Sequence, residues 1–371
     1  MKKNQLILGL VLLVALAALL FWGRSRIHFD FGVFRAQLAT ANWGRIAIGV
    51  ACIYSAYAFR AMRWSFLLRH EKKVSPFSLV GTQVIGFTAV SLIGRVADPV
   101  RPYLVAKKTG LPLSNQLAVY VVERLFDFGA MALIISSALL VIPYAQTAAV
   151  NGHPGFFAHI FAPLLLRFPI LSEIFARFGA LIVTVAAVVI LFIVRLSGGA
   201  AAVFAEKAFG LISKNLGASV GSKIRAFHAG LYAVRTLSDL AIVSALSLLM
   251  WGLISMAYMQ TVWAFTASPQ LASMSVPKCI LLMAVSGGAS ALQLPILGWF
   301  SQIAFVAGAL SSFYGVSPEA ATACAATLLF VTFLCIVPVG LIWARIDHVS
   351  LRKVTVESEH AGEAEVESPA S

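Results

Sequence analysis

Charge is scarce in this chain. Only 12% of its 371 residues are Asp, Glu, Lys or Arg, while 60% are hydrophobic. No soluble domain of this size needs so many apolar residues, because a folded surface must also be covered with polar groups. Acid is scarcer still: 15 Asp and Glu stand against 28 Lys and Arg, for a net charge of +13. Five of those acids, Glu357, Glu359, Glu363, Glu365 and Glu367, crowd the stretch from Val354 to Ser371, so the remainder is more basic than the total suggests. Cysteine is limited to Cys52, Cys279, Cys324 and Cys335, all in apolar segments and none at metal-ligand spacing. They read as small buried hydrophobes, and no metal is expected. The seven histidines lie outside the interiors of the apolar runs, and no acid–histidine constellation appears. That weighs against an intramembrane enzyme, and no catalytic residue is assigned. No nucleotide-binding signature is present, and no cofactor is implied.

Long apolar runs are what the chain has instead. Several windows exceed the ~20 residues that span a bilayer. They predict an all-α integral membrane protein with spans at 6–22, 44–62, 114–142, 178–196, 238–264 and 319–343. Two further apolar stretches read as re-entrant hairpins. The first, about Ser75 to Lys108, is flanked by Arg60, Arg63, Arg69, Lys72 and Lys73 on one side and by Arg95, Arg101, Lys107 and Lys108 on the other. Basic residues beside a span mark the cytoplasmic side, so a segment marked at both ends should not cross. The second, about Ser275 to Phe313, breaks at Leu294-Pro295-Ile296-Leu297-Gly298. By parity it starts and ends outside. Six crossings plus two hairpins entering from opposite faces suit an inverted repeat, a common transporter plan. Two complete short helices per hairpin are the plainer alternative.

Residues 1–353 thus form one membrane domain. Lys2 and Lys3 place the N-terminus inside, and Arg24 and Arg26 follow the first apolar run as they would beyond a retained helix rather than a cleaved signal. Residues 197–237 read either as amphipathic helices on the anionic inner leaflet or as a solvated linker. Residues 354–371 are expected to be a disordered acidic tail. The termini are expected in the cytoplasm of a multi-pass cell (inner) membrane protein. Nucleic acid is a poor partner, because no soluble segment large enough to bind it exists.

Three constellations could carry chemistry. Gly94-Arg95-Val96-Ala97-Asp98-Pro99-Val100-Arg101-Pro102 follows a long apolar stretch. Gly94, Pro99 and Pro102 argue against a regular helix there, and irregular backbone at membrane depth belongs inside protein or beside water. Arg95 and Arg101 can fork onto phosphate oxygens, with Asp98 orienting them. They can equally be topogenic charges in a plain loop. In the third span, Glu123 and Asp127 share a helix face and Arg124 can pair with Asp127. Such charges must face the bundle interior, as a structural network or a substrate contact. Arg60 and Arg63, also i,i+3, read first as interface anchors and second as guides for an anionic headgroup. The second hairpin is nearly uncharged, with Ser286-Gly287-Gly288-Ala289-Ser290, Gln293, Pro295 and Gln302.

Arg60-x-x-Arg63-Trp64, Gly94-Arg95-x-x-Asp98-x-x-Arg101, Glu123-Arg124-Leu125-x-Asp127 and Leu294-Pro295-x-x-Gly298, in that order, resemble the transmembrane region of lysylphosphatidylglycerol synthases. The likeness runs from about Val50 to Trp343. Against the usual first-hairpin pattern, Ile93 stands for Pro, Ala97 for Gly and Asp98 for Glu, and Gln302 stands near where the second hairpin has an acid. The chain ends too soon after Trp343 for a soluble aminoacyl-transferase domain, so the resemblance implies the lipid-translocating half. A flippase-like transporter of a phosphate-bearing or modified lipid follows as the expectation. Arg63, Arg95, Asp98, Arg101, Glu123, Arg124, Asp127, Pro295 and Gln302 are its candidate substrate residues. A lipid-modifying enzyme and a non-catalytic partner of a lipid-synthesis complex are the alternatives. Membrane lipids are the expected partners, with a homo-oligomer or a lipid-synthesis partner left open.

Overall fold

The computed structural model describes residues 29–141, 178–179, 181–182, 184–186, 203, 233–291 and 297–349. The expected spans at 6–22 and 178–196, the connection at 197–237, Pro295 and the tail at 354–371 lie wholly or largely outside the described residues. Among the described residues the structure is helical and holds no strand. The chain runs through α1 (Phe31–Ala39), α2 (Trp43–Leu68), α3 (Pro76–Ile93), a 3₁₀ turn (Arg95–Ala97), α4 (Val100–Thr109) and α5 (Leu113–Val141). After the undescribed stretch come α6 (Leu237–Val262), α7 (Val276–Ala291), α8 (Leu297–Tyr314), α9 (Pro318–Leu329), a π-turn (Phe330–Leu334) and α10 (Ile336–Ile346).

Local chemistry explains these boundaries. Asp30 and Asn42 cap α1 and α2 by accepting from backbone N–H groups of the first turn. Thr236 and Asp239 form a reciprocal capping box on α6. Pro76 and Pro318 open α3 and α9, where a missing N–H costs nothing. Gly94 ends α3 at φ 92°, a conformation that side chains with a Cβ rarely adopt. The backbone is irregular from Gly94 to Pro99, as the sequence predicts, but α4 then starts at Val100. Pro102 sits inside its first turn, a position proline tolerates, and does not break it.

Helices α3, α5, α6 and the α9–α10 unit are each long and apolar enough to cross a membrane. Helix α2 matches them in length, with 26 residues, but carries Arg45, Arg60 and Arg63. The predicted spans at 44–62, 114–142, 238–264 and 319–343 coincide with α2, α5, α6 and α9–α10. Outward faces are apolar, with Phe128, Leu133, Leu140, Leu249, Phe300 and Phe305 exposed, as lipid contact requires. The most extensive pairing is α2 on α6. Helix α10 lies close on α3, because Gly340 and Gly81 leave room for Thr88 and Trp343, where a methyl group would overlap them.

The first hairpin folds back on itself. Helix α3 rises about 27 Å and α4 only about 15 Å, half a bilayer. At its base the Lys72 ammonium donates to the Thr109 carbonyl at 2.6 Å, and Asn115 Nδ2 donates to both Glu71 carboxylate oxygens at 2.8 Å. Residues before and after the hairpin therefore share one level. The second hairpin pairs α7 with α8, and at its base Lys278 lies over the Tyr314 ring. The two hairpins meet at their tips. Arg95 Nε and Nη2 donate to the carbonyl and hydroxyl oxygens of Ser290, at 3.0 and 2.9 Å, and Trp299 Nε1 donates to the Ser91 carbonyl at 2.9 Å.

Candidate functional site

Where α2, α3, α4, α5 and α6 converge, the interior is charged. Helix α2 brings Arg60 and Arg63 to one side, separated by a single turn. Helix α5 presents Glu123 and Asp127 one turn apart, with Arg124 beside them. Helix α4 contributes Arg101, whose side chain is fully buried. Its stem runs against Gly86 of α3, where a Cβ would overlap Arg101 Cγ. A larger residue at that position would force the Arg101 stem to shift.

One carboxylate oxygen organises the group. Glu123 Oε1 lies 2.9 Å from Arg63 Nη2, 3.0 Å from Arg124 Nη2, 3.2 Å from Arg101 Nη1 and 3.6 Å from Arg60 Nη1. Asp127 takes Arg63 Nη1 at 2.7 Å and Arg124 Nη2 at 3.2 Å, and accepts from Trp251 Nε1 at 3.3 Å. Ser247, one turn before Trp251 on α6, accepts from Arg63 at 2.6 Å, and Gln83 accepts from Arg101 at 3.1 Å. Aromatic rings fill the remaining sides. Arg60 and Arg101 both lie over Phe87, at 4.5 and 4.6 Å, and Arg101 and Arg124 both approach Tyr120.

Four guanidinium groups thus meet two carboxylates, an excess of two positive charges among the described residues. Unit charges about 4 Å apart interact by about 4 kcal/mol at an effective dielectric near 20, so the excess is not a small matter, although Arg124 is a quarter exposed. Aromatic faces soften it by about 0.5–2 kcal/mol per contact but do not neutralise it. Several buried polar atoms also lack a well-aligned hydrogen-bond partner: Arg60 Nη1, Arg63 Nε and Nη2, Arg101 Nε and Nη2 and Arg124 Nε among the donors, and Glu123 Oε2 and Asp127 Oδ2 among the acceptors. Arg60 Nη1 and Arg63 Nη2 still lie in ion-pair range of the carboxylates, so Arg63 Nε, Arg101 Nε and Nη2 and Arg124 Nε are the donors left without one.

The structure brings Arg63, Arg101, Glu123, Arg124 and Asp127 into this cluster and leaves Arg95, Asp98 and Gln302 elsewhere. Arg95 and Arg101 do not form one fork. Arg95 reaches Ser290 of the other hairpin, and Asp98 lies 3.7 Å from Arg95 rather than beside Arg101. The reason is helical spacing: α4 starts between Asp98 and Arg101 and turns the second arginine inward. Gln302 sits in the second hairpin. It donates to Ser286 Oγ at 2.9 Å, Tyr258 donates to the same oxygen at 2.7 Å, and Gln302 Oε1 is buried without a partner. Pro295 lies outside the described residues.

Sequence reasoning missed three contributors and left a fourth in second place. Arg60, read first as an interface anchor and second as a guide for an anionic group, is buried inside the cluster beside Arg63. Gln83, Ser247 and Trp251 carried no signal, because polar residues in apolar helices gain meaning only from what they face. A second knot went unseen as well: Asp239 holds Arg69 and accepts from the Thr236 hydroxyl at 2.7 Å, with His70 at 3.2 Å, tying the end of α2 to the start of α6.

The family described as the lysylphosphatidylglycerol synthase TM region matches residues 6–340, nearly the whole chain. The protein belongs to that family. A UPF0104 membrane protein of Methanothermobacter thermautotrophicus is similar, with 30% identity over 152 residues. That match covers 40% of this chain and 43% of the relative, so the chain spans less than half the length of the curated relative it matches. No solved structure matches. Family membership and the apolar helices make this a multi-pass membrane protein, and a buried cluster of charges sits where α2 to α6 converge.

Proposed function

We propose that this family member carries a phosphate-bearing lipid between the leaflets of the cell (inner) membrane. The observation that carries the reading is the excess of two guanidinium charges among the described residues, with buried N–H donors on Arg63, Arg101 and Arg124 that meet no carboxylate. An interior that only held helices together would balance its charges, because an unpaired buried ion costs several kcal/mol. Arg63, Arg101 and Arg124, joined by Arg60, would take the phosphate, and Glu123 and Asp127 would hold the guanidinium groups in place. The hairpins would enter from opposite faces, with both termini cytoplasmic. Arg95 would act as a latch: its bonds to Ser290 close the gap between the tips, and a headgroup passing there must break them. Gln302, Ser286 and Tyr258 line the second hairpin with neutral polar groups along the same route.

Arg101→Lys tests the reading. Lysine keeps the charge but loses the planar fork and the aromatic stacking. In reconstituted vesicles the variant is expected to insert normally and lose most translocation of a fluorescent anionic phospholipid. Wild-type translocation by Arg101→Lys would refute the assignment. A chemically altered lipid recovered from the wild-type vesicles would replace transport with lipid modification.

A further inference from the structure

The sign and size of the charge in the cluster say more about the cargo than that it bears phosphate. Resting on the transport reading, we infer that the headgroup is a dianion, the terminal phosphate or diphosphate of a lipid, and not an aminoacylated or other cationic phospholipid. Four guanidinium groups against Glu123 and Asp127 leave two positive charges among the described residues. A phosphodiester headgroup would neutralise one of them. A phosphomonoester, with its second ionisation near pH 6, neutralises both for most of the time at neutral pH.

Donor geometry points the same way. The N–H groups left without a carboxylate come from arginines on three helices: Arg63 on α2, Arg101 on α4 and Arg124 on α5. A terminal phosphate offers three strong acceptor oxygens in a tripod, one more than a diester, and so can meet donors converging from three helices. A diester must point two of its four oxygens along the lipid and so faces donors on fewer sides.

The net charge of the cluster also disfavours an amine. Arginines outnumber Glu123 and Asp127 two to one, so an ammonium group meets a positive excess even though Glu123 Oε2 and Asp127 Oδ2 lack an aligned donor. Asp98 is paired with Arg95. From Ser275 to Phe313 the sequence contains no acid at all, and Lys278 is its single charge. A lysyl-bearing lipid, with an ammonium group beside its phosphate, would bring more positive charge to a site that already has too much. This member of the family is therefore suited to a headgroup of the opposite sign to an aminoacylated one.

The test uses the full chain in phosphatidylcholine nanodiscs doped with equal amounts of phosphatidic acid and phosphatidylglycerol, with co-purified lipids counted by native mass spectrometry. The expected result is enrichment of phosphatidic acid over phosphatidylglycerol by about tenfold, the effect of one additional charge-assisted hydrogen bond. Arg60→Gln, which removes the arginine with the longest ion pairs and leaves an excess of one, should bring that ratio close to unity while the protein stays folded. Equal enrichment of both lipids, or preference for the diester, overturns the dianion and leaves phosphate-lipid transport standing. No enrichment of either lipid over phosphatidylcholine overturns the transport reading itself. If inorganic pyrophosphate instead raises the melting temperature while neither lipid is enriched, the site binds a soluble anion and the lipid assignment fails.

Discussion

Asp127→Asn probes the cluster most directly. The substitution is nearly isosteric and removes one negative charge from a buried cluster. Asp127 faces Arg63 at 2.7 Å, Arg124 at 3.2 Å and Arg60 at 3.9 Å, and accepts from Trp251. Neutralising it raises the positive excess among the described residues from two charges to three and leaves Arg63 with one charged partner there, Glu123, beside neutral acceptors at Ser247 and the new amide. Removing one partner of a buried pair costs about 3–5 kcal/mol, so the folding equilibrium constant should fall at least about a hundredfold. Arg60→Gln is the matched control from the other sign. Its ion pairs are long, at 3.6 and 3.9 Å, and its loss is mainly the stack on Phe87, about 1–2 kcal/mol, offset by relief of the excess. The assay is reversible unfolding in mixed detergent and sodium dodecyl sulfate micelles, followed by far-UV circular dichroism. Arg124→Ala/Asp127→Asn should be less harmful than the two single changes added together, because the partner left unpaired is then also removed. A cost for Asp127→Asn below that of Arg60→Gln, or strict additivity in the double variant, would refute the picture of a coupled and over-positive cluster.

Other expectations follow from the same geometry. Gly86→Ala should destabilise by about 1–3 kcal/mol and abolish anion binding, since the methyl overlaps the stem of Arg101; helix propensity alone predicts the opposite sign, so a stabilised variant in a thermal melt would show that the stem can move aside. Arg95→Lys removes both bonds to Ser290 and Ser290→Ala only one, so vesicle translocation should change more in the first than in the second, with melting temperature unaffected in both. Equal behaviour of the two variants would remove the latch. Ser75→Cys and Lys108→Cys should be labelled by an impermeant maleimide from the cytoplasmic face, and Ser275→Cys and Phe313→Cys from the opposite one; labelling of the first two from different faces would make α3 a full crossing. Asp239→Asn should loosen the junction of α2 and α6, seen as faster hydrogen exchange in residues 236–240, without altering lipid selectivity.

The order and type of most described elements were legible in the sequence, because the bilayer imposes a simple rule on length and apolarity. A run of more than 20 apolar residues must be a helix, since no other local structure satisfies its backbone in hydrocarbon. The same rule exposed Glu123, Arg124 and Asp127, whose presence on a spanning helix requires a polar interior. Helical spacing correctly paired Arg124 with Asp127. Yet the resemblance and the basic flanks gave Arg95 and Arg101 one shared role, and the structure separates them. The resumption of helix at Val100 depends on α4 packing beneath α3, and no residue in the motif reports that.

Composition alone therefore determined a helical membrane protein with charges that must face inward, through the cost of leaving them in lipid. Only the tertiary structure decided which charges meet. Arg60 and Arg63 on α2, Arg101 on α4 and the acids on α5 are separated by tens of residues, and their balance is a sum over helices that the chain order does not reveal. Gly86 gives the clearest instance: in the sequence it is one small residue among apolar neighbours, and in the fold it leaves room for the stem of Arg101, which reaches Glu123. The reason is physical. Burial penalises each charge locally, so a sequence shows where charge is costly, but compensation is a property of distances, and distances between helices exist only after they have packed.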